Sequence, residues 1–248
     1  MNWHKANTVD LITSIKVCSS NYLLNIAAFS LACKKAKITN PDISDKSSVQ
    51  GKFFSALLVI TDKHMKFNEQ DLVMCALALA KGTPREKAME LFQYFDKDCN
   101  GNLDRQEIEN MFIEYARFVA VILPIIGAGD PRDDLLHPET IQWYQRGMAR
   151  NMNHVIVALV HKVLRHPGQE RIDHDSFVEL MCEDENAKIL SSSGLRQFVL
   201  KEGGFKRRES KNIYYKELDR KMERVLAITG QAFDMPDCAP PRKKGKRA

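Results

Sequence analysis

The chain has 248 residues, 44% of them hydrophobic and 28% charged, with a formal net charge of +5. This is the composition of a soluble globular protein, able to bury a core as one domain or two small lobes. No apolar run approaches the ~18 residues needed to span a bilayer, which excludes an integral membrane protein of the helical kind. Cys18, Cys33, Cys75, Cys99, Cys182 and Cys238 show no paired metal-ligand spacing, and no secretory apolar region opens the chain. Reduced thiols in a cytoplasmic setting are therefore expected.

Residues 1–48 read as N-terminal helices, with a vestigial helix–loop–helix near 17–28 echoed only by Leu24 and Phe29. Residues 49–123 carry two such units in succession. In the first, Phe53, Phe54, Leu57 and Leu58 precede a loop at 60–71, and Leu72, Val73, Ala76, Leu77 and Ala80 follow it at helical spacing. Measured against a twelve-place cation loop, 60–71 is degenerate: Ile60 stands at place 1, His64 at 5 and Met65 at 6, while Phe67, Asn68 and Asp71 hold places 8, 9 and 12. It should hold no ion. A new helix then starts at "TPRE" (83–86), with Thr83 as N-cap, Pro84 in the first turn and Glu86 in the capping-box position.

The loop that follows, "DKDCNGNLDRQE" (96–107), keeps every ligand type. Asp96, Asp98 and Asn100 fall at places 1, 3 and 5, Asn102 at 7, Asp104 at 9 and Glu107 at 12, with Gly101 at 6. Calcium wants six to eight oxygen ligands, so alternate side chains of a tightly wound loop must face one centre. Asn102 would give its backbone carbonyl, and Glu107 both carboxylate oxygens. Gly101 serves the sharp turn, where a positive φ costs a residue with a Cβ more than it costs glycine. Asp96, Asp98, Asp104 and Glu107 place four formal negative charges in this short stretch, relieved only in part by Lys97 and Arg105. Leu103, at place 8, should make a short strand contact with a partner loop, and the expected partner is the preceding loop, 60–71. Leu91, Phe92 and Phe95 before the loop, and Ile108, Met111, Phe112 and Tyr115 after it, form the apolar faces of the flanking helices.

Beyond this pair, "FVAVILPIIGAG" (118–129) reads as a buried helix end running into a linker at 124–140, where Gly127, Gly129, Pro131 and Pro138 cluster. Residues 141–201 form a degenerate lobe: a long amphipathic helix over 141–164, then a loop at 165–176 with Arg165 at place 1, Pro167 at 3, Ile172 at 8 and Ser176 at 12. Glu170, Asp173 and Asp175 retain some negative charge there. Residues 202–230 supply a second linker and an amphipathic helix over 213–228, which either docks in the chain's own groove or binds a partner helix. The tail, 231–248, ends in five cations within 242–247. It suits an acidic partner or a nuclear import signal, or serves solubility alone. No zinc, helix-turn-helix or RNA-binding signature accompanies it, so nucleic acid is not the expected partner.

These features resemble the EF-hand superfamily. Residues 66–112 are similar to the middle pair of hands in the calcineurin B, neuronal calcium sensor and calaxin branch. The resemblance implies an all-α fold of paired helix–loop–helix lobes with short β contacts between loops, one Ca²⁺ site at Asp96, Asp98, Asn100, Asn102, Asp104 and Glu107, and no catalysis; whether Mg²⁺ fills that site at rest is left open by the sequence. It further implies an adaptor or regulatory subunit that offers a protein target a hydrophobic groove including Met89, Phe92, Met111 and Phe112. The alternative is a cytoskeletal or axonemal component whose ion is constitutive. The chain begins Met1, Asn2, Trp3, without the glycine that N-myristoylation needs. His154 and His161 are expected as packing or surface residues, and no nucleophile elbow or phosphate-binding glycine loop argues for an enzyme.

Overall fold

The computed structural model describes residues 3–38, 43, 49–61, 64–124, 138–166, 168–202 and 220. Most of the expected linker 124–140, the expected helix 213–228 apart from Arg220, and the basic tail lie outside the described residues. The described chain is mostly helical with two small antiparallel sheets. In order come α1 (Thr8–Cys18), β1 (Leu23–Asn25), α2 (Ile26–Lys35), α3 (Val49–Leu57), β2 (Leu58–Thr61), β3 (His64–Asn68), α4 (Glu69–Leu79), α5 (Pro84–Phe95), β4 (Asn102–Asp104) and α6 (Arg105–Arg117). A π-helical turn (Phe118–Ile122) closes α6, and α7 (Pro138–Val163), β5 (Arg171–Asp173), α8 (His174–Cys182), α9 (Asp184–Ala187) and α10 (Ser192–Glu202) follow.

Four of these helices start by one device. Asn25, Asn68, Asp104 and Asp173 each end a short strand, and each accepts a backbone N–H of the helix that follows, from Ala28 at 2.8 Å, Gln70 at 2.9 Å, Glu107 at 2.8 Å and Ser176 at 3.0 Å. A side-chain oxygen at the N-cap satisfies a donor that the helix itself cannot, contributing roughly 1 kcal/mol. All four residues hold place 9 of their twelve-residue frames. α5 starts from the capping box that the sequence predicts: Thr83 N–H donates to Glu86 Oε2 at 2.7 Å, and Glu86 N–H to Thr83 Oγ1 at 3.2 Å.

The strand pairing corrects the expectation that 60–71 and 96–107 face each other. Leu58 to Thr61 and His64 to Asn68 are strands of one hairpin, with Leu58 opposite Phe67 and Ile60 opposite Met65. The other edge of β3 is taken by β1, where Leu24 meets Phe67. With both edges occupied, β3 has no free ladder to offer β4. β4 pairs instead with β5, setting Leu103 against Ile172, so the loop at 96–107 is joined to the one at 165–176. Nor is 60–71 a ligand-type loop at its start. Ile60 stands where the first carboxylate would be, and Leu58, Val59 and Ile60 lie in an extended strand suited to β-branched residues.

One hydrophobic core runs through both sheet-linked units, from Trp3 to Leu200. α4 lies at its centre, with Leu72 through Leu79 buried on every side; a helix apolar all round is a core helix. Around it Trp3, Phe29, Phe54 and Phe67 form an aromatic group with centroids 4.6–6.3 Å apart. Such pairs add about 0.5–1.5 kcal/mol each beyond their burial. In the other half α5 packs on α8, α6 on α7, and α10 on α7 and the π-helical turn. Among the described residues no helix is long and apolar enough to cross a membrane.

Candidate metal centre

α5 delivers the first expected ligand and α6 the last. Asp96 caps the C-terminus of α5, its N–H donating to the Phe92 carbonyl at 2.9 Å. The chain then coils back on Asp96: Asn100 N–H donates to its Oδ1 at 3.1 Å and Gly101 N–H to its Oδ2 at 3.0 Å. The turn needs a left-handed residue twice, at Cys99 (φ 56°) and Gly101 (φ 76°). Asp98 accepts from Asn100 N–H at 3.2 Å and from its side-chain amide at 2.7 Å, while Asn100 Oδ1 accepts from Asn102 N–H at 2.7 Å. Backbone N–H groups thus fix the carboxylates before anything binds, which limits the ordering cost of binding.

Glu107 closes the ring. As the third residue of α6 it completes a second capping box, its Oε2 accepting from Asp104 N–H at 3.1 Å, and its Oε1 accepts from Lys97 N–H across the loop at 3.1 Å. Carboxylate oxygens of Asp96, Asp98 and Glu107 consequently lie within 4.8 Å of one another. At that separation unit charges repel by about 1 kcal/mol per pair even in water, and by more where water is displaced. An all-oxygen, carboxylate-rich set is suited to a hard divalent cation and not to zinc or copper. Of the six expected ligands the structure draws Asp96, Asp98 and Glu107 together. Asn100 and Asp104 are engaged in the loop's own hydrogen bonds, and Asn102 N–H with them. Cys99 is exposed, and its thiol donates weakly to the Asp96 carbonyl at 3.8 Å.

Three contacts around the loop carry no periodic signal in the sequence. Arg105 N–H donates to the Glu170 carbonyl at 3.0 Å and its guanidinium meets the Glu170 carboxylate at 3.4 Å, adding to β4–β5. His174 N–H donates to the Gly101 carbonyl at 3.3 Å. The Lys97 ammonium lies 4.1 Å from the centre of the Tyr94 ring, a cation–π placement. Burial pushes Lys97 below its ordinary value, with Glu69 and Glu107 opposing.

The loop at 165–176 is differently furnished. Arg165, at place 1, is turned out to an ion pair with Glu183. Asp173 serves Ser176, accepting its N–H at 3.0 Å and its hydroxyl at 2.7 Å, and those bonds hold the carboxyl below the ordinary range. Ser176 offers no carboxylate at place 12.

The expected partner-facing residues are divided. Met89 is half-buried at the core's edge, whereas Phe92, Met111 and Phe112 are buried within it. Phe92 packs on the rings of His174 and Phe177, at 5.0 and 5.7 Å. Phe112 faces Leu159, Val163, Leu180 and Ile189 across a seam too tight for a water molecule. The chain's own α7 and α8, and the 3₁₀ turn Lys188–Leu190, cover this face. No protein-family model, curated protein or solved structure matches the chain.

Proposed function

We propose that this protein is an EF-hand-type calcium binder, acting without catalysis as a calcium-responsive adaptor or regulatory subunit for a protein target. The observation that carries this reading is the convergence of Asp96, Asp98 and Glu107 oxygens on one point of a loop already wound through left-handed Cys99 and Gly101. In it Asp96, Asp98, Asn100, Asp104, Glu107 and the Asn102 carbonyl hold Ca²⁺, with Mg²⁺ as the alternative occupant at rest. The ion removes the repulsion among the carboxylates and fixes α6 relative to α5. The β4–β5 ladder supports the site from a loop that keeps no ligand set of its own. The other units are scaffold in this reading, and a single site gives a graded rather than a cooperative response.

A regulatory subunit needs α6 to turn against α5 and bring Met89, Phe92, Met111 and Phe112 to the surface. The burial of Phe92, Met111 and Phe112 beneath α7, α8 and the 3₁₀ turn favours a second reading, in which the ion is a permanent fixture of a cytoskeletal or axonemal assembly. Both readings belong to a cytoplasmic or ciliary setting, with the basic sequence at 242–247 assigned to an acidic partner or nuclear import. Fluorescence of a hydrophobic-surface dye during calcium addition separates them. The adaptor reading predicts a calcium-dependent rise in dye binding that chelator reverses. A flat signal from a calcium-loaded chain supports the fixture and rules out the adaptor.

A further inference from the structure

The C-terminal end of α6 is seated in the N-terminal half by two consecutive side chains. Arg117 Nη2 donates to Asp71 Oδ1 of α4 at 2.8 Å, and the guanidinium also meets Glu114 Oε2, one turn earlier on α6, at 3.0 Å. Phe118 is fully buried and meets Phe53 of α3 edge-on, with centroids 6.4 Å apart and planes at 82°. Asp71 stands at place 12 of the frame 60–71, the position whose counterpart in the 96–107 loop is Glu107. In the unit without a ligand set that carboxylate is taken by a guanidinium brought from the exit helix of the other loop. Burial pushes the Asp71 carboxyl up despite Arg117; burial pulls Arg117 down, but Asp71 and Glu114 together outweigh it and hold Arg117 up. Both shifts are upward, so the charged form is disfavoured in the acid and favoured in the base, because the acid is the more deeply buried partner, 13% exposed against 42%. A partly buried acid of this kind depends on its cation, because removing one partner strands the other away from water.

Glu107 and Arg117 belong to the same helix, ten residues and ~15 Å apart at 1.5 Å per residue. A rotation of α6 that moves one moves the other. In the observed position Glu107 faces Asp96 and Asp98 at the same time as Arg117 faces Asp71. We infer that the Arg117–Asp71 pair is a latch between the two halves: it holds α6 at the rotation that presents Glu107 to a divalent cation, and the bound cation in turn tightens the seat of α6 on α4. Arg117 is a positioning residue here and touches no ion. The inference rests on the calcium reading of the 96–107 loop. Linkage makes the effect reciprocal, so whatever factor the latch adds to cation affinity, the cation adds to the latch.

Amide hydrogen exchange, on the full chain with calcium and with chelator, tests this together with calorimetric calcium titration of wild type, Asp71→Asn and Arg117→Lys. In wild type, calcium should slow exchange in α6 and also in α4, which contributes no ligand. Asp71→Asn, close to isosteric, should keep the slowing in α6, lose it in α4, and weaken calcium binding about fivefold or more. Arg117→Lys, which keeps the charge, should restore part of both effects. Should Asp71→Asn fail to fold, the shortfall of Arg117→Lys against wild type in α4 slowing carries the test. Slowing confined to α6 in wild type, or equal calcium affinity in wild type and Asp71→Asn, overturns the latch and leaves the calcium reading standing. A wild-type chain that binds no calcium overturns both.

Discussion

Gly101 shows how much a single residue carries. A Cβ added there would meet nothing within 4 Å, so the requirement for glycine lies wholly in the backbone, at φ 76°. That is why the position was legible: the spacing of Asp96, Asp98 and Asn100 forces a turn, and the turn forces the residue type. Lys87 is the opposite case, a residue on which the sequence is silent. It lies buried in α5, and burial pushes its amine down from an ordinary 10.5 to about 8. Between about 8 and 10.5 the unfolded chain holds a proton at this site that the folded chain has released, so stability should rise with pH across that window, and below it the cost of burying the charged amine is present in full and does not vary with pH. Denaturant unfolding of wild type and Lys87→Met as a function of pH checks this. The difference should shift in favour of wild type as pH climbs through the window, and parallel curves would contradict it.

At the scale of elements, the helices flanking 96–107 were legible because Leu91, Phe92 and Phe95, and then Ile108, Met111, Phe112 and Tyr115, recur with helical period and are all buried. The partner of β4 is not the one that order along the chain suggests, for a physical reason. Proximity in the chain favoured 60–71, yet Leu58, Val59 and Ile60 form a hairpin with β3, and β1 covers its other edge. Two signals pointed to the observed arrangement: apolar residues at place 8, Leu24 with Phe67 and Leu103 with Ile172, and an Asx cap at place 9 of all four units. The ladder has an energetic consequence. Ile172 is buried against Leu103 from outside the binding loop. Ile172→Ala should cost about 2–4 kcal/mol of stability in denaturant titration. It should also weaken calcium binding, because β5 steadies the strand between Asn102 and Asp104. Unchanged calcium affinity in that variant would show that the ladder does not support the site.

At the scale of the molecule, the halves are not independent. The core is continuous, α4 is enclosed by it, and α6 with Phe118 after it reaches from the 96–107 loop to Asp71 and Phe53 in the other half. None of this crossing was readable, because an ion pair 46 positions apart in the chain leaves no periodic trace. The proposed function nonetheless depends on the 96–107 loop. Calorimetric titration of calcium into the full chain and into Glu107→Gln tests that claim most directly. The account predicts one site with a Kd between about 10⁻⁷ and 10⁻⁵ M in wild type, and none in the variant, whose amide leaves the ring without its closing carboxylate. Absence of binding in wild type, or binding that Glu107→Gln leaves unchanged, would contradict it.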